Sequence, residues 1–442
     1  MKILFFAEQF VPPVYDGSSA VYESWLRALK EIGDLYPIFF TLRGEPGAET
    51  HAYLRRMCRD YLILPGRAQS PLLKTARAIG RFINGSLFAH PLIEQFGRRA
   101  VKSAISRFIA KNEPDVALIN KLECVQLIGH DILAALRIPK ILDLHDDFVA
   151  REKLEWQLLR DILAELPSLA SDPHLRLVRI RHRLSRLDPA RARRQENRLL
   201  NLFNQIMISS DEEYVAYSAR DGLGARCVHA PWPIKVEARP VKRVEAPEFD
   251  AGLIATGNVF NIEGLKFLVR EALPLIRQQR PGFRLLLAGN IARAFLNSGL
   301  PTDGVTVTGE IKNQSEFYGR IKICLVPLRN GTGVSIKTME ALSYGLPVVA
   351  TRIGARGLGG QELPNLHLAD TAEGFAEKTL SLLDRWPNGA GDFSVYRSDG
   401  SGGDELKRFV QLCANLGVKS LPRNGPALNG KSPVNEQNER FR

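Results

Sequence analysis

Short apolar runs alternate along the chain with stretches of helical spacing. "KILFFA" (Lys2–Ala7) is apolar after its lysine and is followed by the turn residues "PPVYDG". Val21, Trp25, Ala28, Leu29 and Ile32 then recur at the spacing of one helix face, with Gly33 as the stop. "LYPIFFTL", "PDVALIN", "PKILDLHDD" and "NQIMISS" predict further strands with helices between them. The second half repeats this order in "AGLIATG", "FRLLLAG", "VTVTG", "ICLVPL", "PVVAT" and "LHLAD", with "NIEGLKFLVREALPLIRQQ" as one of its helices. Apolar strands separated by helices predict an α/β fold of parallel sheets covered on both faces.

The alternation breaks between Ala230 and Asp250, where "APWPIKVEARPVKRVEAPEFD" is rich in proline and charge. A chain of 442 residues exceeds one ordinary core. The pattern predicts an N-terminal domain at 1–230, a linker at 231–248 and a C-terminal domain at 249–385. A loop and return helix follow at 386–416, with Leu406, Phe409, Val410, Cys413 and Leu416 on one side. Residues 417–442 are polar, with the composition of a disordered tail.

Composition narrows the class. "MKILFFA" runs into Glu8 and Gln9 without a small-residue cleavage site, and no stretch has eighteen uninterrupted apolar residues. Five scattered cysteines form no CxxC pair, against a zinc or disulfide framework and in keeping with a reducing, cytoplasmic compartment. The net charge of +12 is concentrated. Residues 72–111 hold eight Lys/Arg against one Glu, and residues 174–198 hold nine Arg against one Asp and one Glu. Both stretches interleave basic with apolar residues, as in "TARAIGRFI" and "LRLVRIRHRL". Solvated helix faces and an anionic membrane surface are the two readings. Stacking aromatics are sparse there, which argues against nucleic acid.

In open α/β sheets ligands bind beyond the carboxyl ends of the strands, so the residues after each strand are the candidates. Gly17 follows the first strand and opens a helix. His145-Asp146-Asp147 ends "PKILDL". A metal site and a helix cap both fit the aspartates, and His145 is the candidate to face a ligand. Gly257 and Asn258 end "AGLIATG". After "ICLVPL" comes "RNGTG", with a helix beginning near Val334. Gly331 and Gly333 clear the approach to the helix-start N–H groups, which suits an anion. Lys337 and Glu340 share one helix face: a cation for phosphate and a carboxylate for a ribose diol. The alternative for this pair is a salt bridge on a solvated helix, worth ~0.2–0.5 kcal/mol.

"GTGVSIKTMEALSYGLPVVAT" and the following "GARGL" resemble the signature of retaining glycosyltransferases of family 4, the group 1 set. The resemblance spans residues 1–385 and is most specific between 250 and 358. It implies the GT-B fold: two Rossmann-like doubly wound domains facing across a cleft. It also implies sugar transfer from a nucleoside-diphosphate donor with retention, without metal or cofactor, in cell-surface glycan or glycolipid synthesis. By that resemblance Glu340 takes the ribose, and Gly333, Val334 and Ser335 approach the diphosphate. Gly17 belongs to the loop on the phosphate side, and His145 lies near the transferred sugar. Catalytic roles then fall to His145 and Lys337.

Two positions depart from the family pattern. Thr332 stands where the first glutamate of a pair is expected, eight residues before Glu340. Asn258 and Glu263 stand where a basic pair is expected, with Lys266 and Lys337 as the nearest replacements. The implied partners are the nucleotide-sugar donor, a glycan or lipid-linked acceptor and an anionic membrane surface. The alternatives are an epimerase or hydrolase on the same fold and a non-catalytic nucleotide-sugar-binding protein.

Overall fold

The computed structural model describes residues 1–11, 17–41, 45–65, 99–172, 175–176, 178–179, 189–232, 247–311, 314–358, 363, 365–389 and 402–418. The chain forms two compact units, and neither is continuous in sequence. The first takes Met1–Asp146, Asp188–Lys235 and Gly400–Arg442, and the second takes Asp147–Leu187 and Val236–Asp399. Two segments therefore lie in the other unit from the one their place in the sequence suggests: residues 147–187 and the return helix Gly402–Asn415.

In the first unit the described residues form seven parallel strands: β1 (Lys2–Ala7), β2 (Asp34–Thr41), β3 (Leu62–Pro65), β4 (Val116–Asn120), β5 (Lys140–Leu144), β6 (Gln205–Ile208) and β7 (Cys227–His229). Their order is β3-β2-β1-β4-β5-β6-β7. The sheet grows outward in one direction from β1 and in the other from β4, so a crevice opens where the order reverses. The side chains of β4 are buried throughout and those of β1 from Ile3 onward, as central parallel strands require. β3 and β7 were not expected from the sequence. They are short edge strands, with Leu62, Ile63, Val228 and His229 only half-buried.

The second unit holds β8 (Phe249–Ile254), β9 (Leu285–Ala288), β10 (Val305–Val307), β11 (Ile321–Val326), β12 (Val348–Ala350) and β13 (Leu366–Leu368). Their order, β10-β9-β8-β11-β12-β13, is that of a dinucleotide-binding doubly wound sheet. All six coincide with apolar runs read from the sequence. The long helix expected after β8 is broken into Val259–Phe267, a π-helical turn at Leu268–Ala272 and Leu273–Gln279. Helix Phe148–Glu165 joins this unit's core through Leu159 and Ile162. Each such buried side chain contributes about 1.5–3 kcal/mol. Asp147 caps that helix, its carboxylate accepting from the Ala150 N–H at 2.9 Å.

Of the arginine-rich stretch, Leu175 and Val178 are buried in the same core. These two apolar residues of "LRLVRIRHRL" are thus not available to a membrane face, because the core takes them. "TARAIGRFI", Arg98 and the tail 419–442 lie outside the described residues.

Gly264 fixes how helix Val259–Phe267 meets the chain after β11. A Cβ there would come within 2.6 Å of the Pro327 carbonyl oxygen. Gly264→Ala should force helix and loop apart and destabilise the protein by about 1–3 kcal/mol. A lowered urea midpoint with an unchanged slope checks this; an unchanged midpoint would mean that the contact relaxes freely.

Candidate active site

β8 and β11 are neighbours on either side of the order reversal in the second unit, and the helices that follow them start beside each other. Asn258 caps the first of these: its side-chain oxygen accepts from the Asn261 N–H at 2.9 Å. Asn261 donates through Nδ2 to the Thr256 carbonyl at 2.9 Å and to its hydroxyl at 3.0 Å. This leaves the Asn261 Oδ1 to accept from the Lys337 ammonium on the second helix, Ile336–Ser343. Lys337 thus bridges the crevice at the switch point. Burial lowers its pKa to about 8, against the opposing pull of Cys324 and Glu340.

The loop between β11 and helix Ile336–Ser343 is strapped from one side. The Arg356 guanidinium donates to the Gly331 carbonyl at 2.6 Å, and the Ser335 N–H donates to the Arg356 carbonyl at 3.0 Å. Gly333 has φ +68°, a left-handed conformation that favours glycine. Val334 packs against Gly357. Ser335 is buried, with its hydroxyl 3.2 Å from that of Thr338, which in turn donates to the Gly354 carbonyl. The helix begins at Ile336, because Ser335, with ψ +86°, lies outside the helical region.

Glu340 lies one turn beyond Lys337 and accepts from the buried Tyr318 hydroxyl at 3.1 Å. Tyr344 stacks on Tyr318 with centroids 4.6 Å apart. Burial and the nearby Glu340 hold the Tyr318 phenol well above its ordinary pKa, so it stays a donor. Lys337 and Glu340 are therefore held by separate partners, Asn261 and Tyr318.

Gly257, Asn258, Gly333, Val334, Ser335, Lys337 and Glu340 gather at the carboxyl ends of β8 and β11, and Thr332 sits half-buried in the loop. Lys266 does not join them. It lies in the last turn of helix Val259–Phe267, roughly 12 Å along the axis from Asn258, and pairs with Glu165 at 2.8 Å. Glu263 is buried beside Arg329 and Asn330, and burial raises its carboxyl pKa. Asn261, Tyr318 and Arg356 were not singled out by the sequence. Among the described residues no group of three His, Cys, Asp or Glu is arranged to hold a metal ion.

In the first unit Gly17 opens helix Gly17–Lys30 after β1. His145 follows β5 and is buried, its Nε2 3.2 Å from Asp143 Oδ2 and its ring 4.8 Å from that of Trp232. Lys121, just after β4, has φ +65°, which is uncommon outside glycine.

Residues 250–385 match the family model described as "Glycosyl transferases group 1". That part of the second unit is therefore similar to a group 1 glycosyltransferase domain. An uncharacterized 44.6 kDa protein in the cps region of Klebsiella pneumoniae is 24% identical over 144 residues. That match covers 30% of this chain and 37% of the relative, about a third of each. HepE of Anabaena, solved in complex with UDP and glucose, superposes with a TM-score of 0.56 at 14% identity, covering 94% of this chain and 99% of that one. Sucrose-phosphate synthase from Thermosynechococcus elongatus gives a TM-score of 0.56 at 16% identity, with coverage of 94% and 99%. The two doubly wound sheets are those of the GT-B fold.

The Lys337 pKa has a consequence for stability. In the unfolded chain the lysine keeps its proton up to its ordinary value of 10.5, whereas in the folded protein it loses it near 8. Between these values the unfolded state binds more protons, so folding gains stability as pH rises. Against Lys337→Met, the parent should gain stability from pH 8 to about pH 10. Paired urea unfolding curves check this; a constant difference would mean that the ammonium is not buried.

Proposed function

We propose that the protein is a retaining family 4 glycosyltransferase that moves a sugar from a nucleoside-diphosphate donor to a hydroxyl acceptor. The observation that carries this reading is the Lys337–Asn261 bridge at the switch point, beside Glu340 and the glycine loop. The match over residues 250–385 supports it, as does the UDP bound to HepE. The cps-region relative supports a role in cell-surface glycan or glycolipid synthesis.

In this reading the diphosphate meets the Lys337 ammonium and the start of helix Ile336–Ser343. Glu340, held by Tyr318, accepts from the ribose hydroxyls. Each N–H aimed at the charge growing on the leaving diphosphate contributes about 3 kcal/mol in a dry site. The leaving phosphate oxygen takes the acceptor's proton on the same face of the sugar, so the chemistry uses neither a protein nucleophile nor a metal. His145 serves the transferred sugar or the acceptor, and Gly17 the phosphate side. Thr332 bears on the choice of donor sugar. A thermal-shift panel of UDP, GDP and ADP sugars identifies the donor, since a ligand at a hundred times its Kd stabilises by ~2.7 kcal/mol.

Glu340→Ala strands two ribose hydroxyls without their acceptor, at a cost of about 1–3 kcal/mol. Nucleotide affinity should therefore fall roughly tenfold to a hundredfold. Lys337→Ala should weaken nucleoside diphosphate far more than nucleoside. Calorimetric titration with both ligands separates the roles, and undiminished nucleoside diphosphate binding by Glu340→Ala would sink the ribose assignment.

The protein is further proposed to work in the cytoplasm against an anionic membrane carrying a lipid-linked acceptor. On helix Arg99–Asn112, Arg99 and Arg107 are exposed, while Lys102 and Lys111 are engaged by Asp131 and Asp60. Among the described residues no helix is long and apolar enough to cross a membrane. Co-sedimentation should be stronger with anionic than with neutral vesicles and should weaken with salt. Equal binding to both kinds of vesicle contradicts the membrane reading.

A further inference from the structure

Asp143 is a fully buried carboxylate on β5. The Trp25 indole donates to its Oδ2 at 2.8 Å and the Trp232 indole to its Oδ1 at 3.0 Å. His145 Nε2 lies 3.2 Å from the same Oδ2. Among the described residues no lysine or arginine side chain pairs with this carboxylate. Glu196, the other fully buried acid among the described residues of this unit, is built differently: Arg193 at 2.6 Å and Arg220 at 2.8 Å neutralise it, and the Tyr217 hydroxyl adds a further bond. A buried anion without a cation is costly unless N–H donors satisfy it. Anchoring two tryptophans does not require an anion, so the third partner is the informative one.

An indole N–H can only donate. Both carboxylate oxygens of Asp143 therefore already act as acceptors, and an acceptor facing an imidazole nitrogen requires that nitrogen to carry hydrogen. The Trp232 ring, 4.8 Å from His145, and the Tyr22 ring, 6.0 Å away, confine the imidazole plane.

We infer that Asp143 is a positioning residue that accepts from His145 Nε2–H and so makes Nδ1 of the neutral ring the hydrogen-bond acceptor for a hydroxyl of the bound sugar. Among the described residues Nδ1 has no hydrogen-bond partner. The inference rests on the transferase reading for the identity of the hydroxyl, but not for the tautomer. His145 then receives a proton donor, and a deoxy or methoxy analogue at that hydroxyl loses the contact.

The test uses the full-length chain with 15N-labelled histidine. Two-bond nitrogen–proton correlation spectra at mildly alkaline pH separate the tautomers, and comparison with His145→Gln picks one signal set out of the eight histidines. The expected spectrum has a protonated Nε2 and a bare Nδ1. A protonated Nδ1 in the parent overturns the inference, whether or not any Asp143 variant folds. Asp143→Asn should mix the tautomers and lower kcat at least about tenfold with donor KM little changed. Trp232→Phe keeps a ring beside His145 and should preserve the Nε2–H tautomer. An Asp143→Asn protein that retains both tautomer and kcat also overturns the inference. A parent with the expected tautomer but no turnover on any nucleotide sugar leaves the positioning role standing and removes the transferase reading.

Discussion

The arrangement of the second unit turns on one half-buried, partly desolvated ammonium. Lys337 is set where β8 and β11 part, and its lowered pKa records that burial opposes the charge there. The charge is tolerable because the Asn261 Oδ1 is aimed at it. That aim is fixed in turn, since Asn261 spends its Nδ2 on Thr256 and its N–H on the cap residue Asn258. The chain after β11 can come this close because Gly264 presents no Cβ to Pro327. Remove any one of these and the ammonium loses either its acceptor or its place. A cation kept partly desolvated gains most from an anionic ligand, because the arriving charge replaces hydration that it has already given up.

The first unit faces the opposite problem at the carboxyl ends of its strands. Its buried charge is negative, and it is satisfied by N–H donors without a cation. The two solutions differ in what they leave available. The Lys337 ammonium keeps further N–H donors beyond the one spent on Asn261. The Asp143 carboxylate is used up by its partners, so its chemical effect has to pass through one of them, and of the three only His145 has a second titratable atom.

The inner strands were legible because parallel strands buried on both faces read as unbroken apolar runs, as β1, β4, β8, β9, β11 and β12 do. The edge strands β3 and β7, of four and three residues, were not read, although the equally short edge strands β10 and β13 were, from the alternation in "VTVTG" and "LHLAD". Within the candidate site, the helical spacing of Lys337 and Glu340 and the glycine loop were visible because they are local. Their holders were not. Asn261 is 76 residues from Lys337 and Tyr318 is 22 from Glu340, and each pairing exists only once β8, β11 and their helices are assembled. Lys266 and Lys337 looked equivalent as replacements for the family's basic pair, and only the helix geometry and Glu165 separate them. Asp143 was not singled out by the sequence, and its indole partners lie 118 and 89 residues away.

The same carboxylate sits at an unusual point in the chain's path. The chain leaves the first unit after Asp146, just beyond His145, and leaves it again after Lys235, three residues beyond Trp232. It returns at Gly400 with a helix whose Phe409 lies 6.0 Å from the Trp25 ring. Each partner of Asp143 is therefore next to a departure, or in contact with the return. A buried carboxylate binding all three makes these segments mutually dependent, because loosening one indole exposes or unpairs the charge that orients the others. The unit's edges can vary without touching this arrangement. The ends of its central strands cannot, since there folding of the discontinuous chain and orientation of the histidine rest on the same two oxygen atoms.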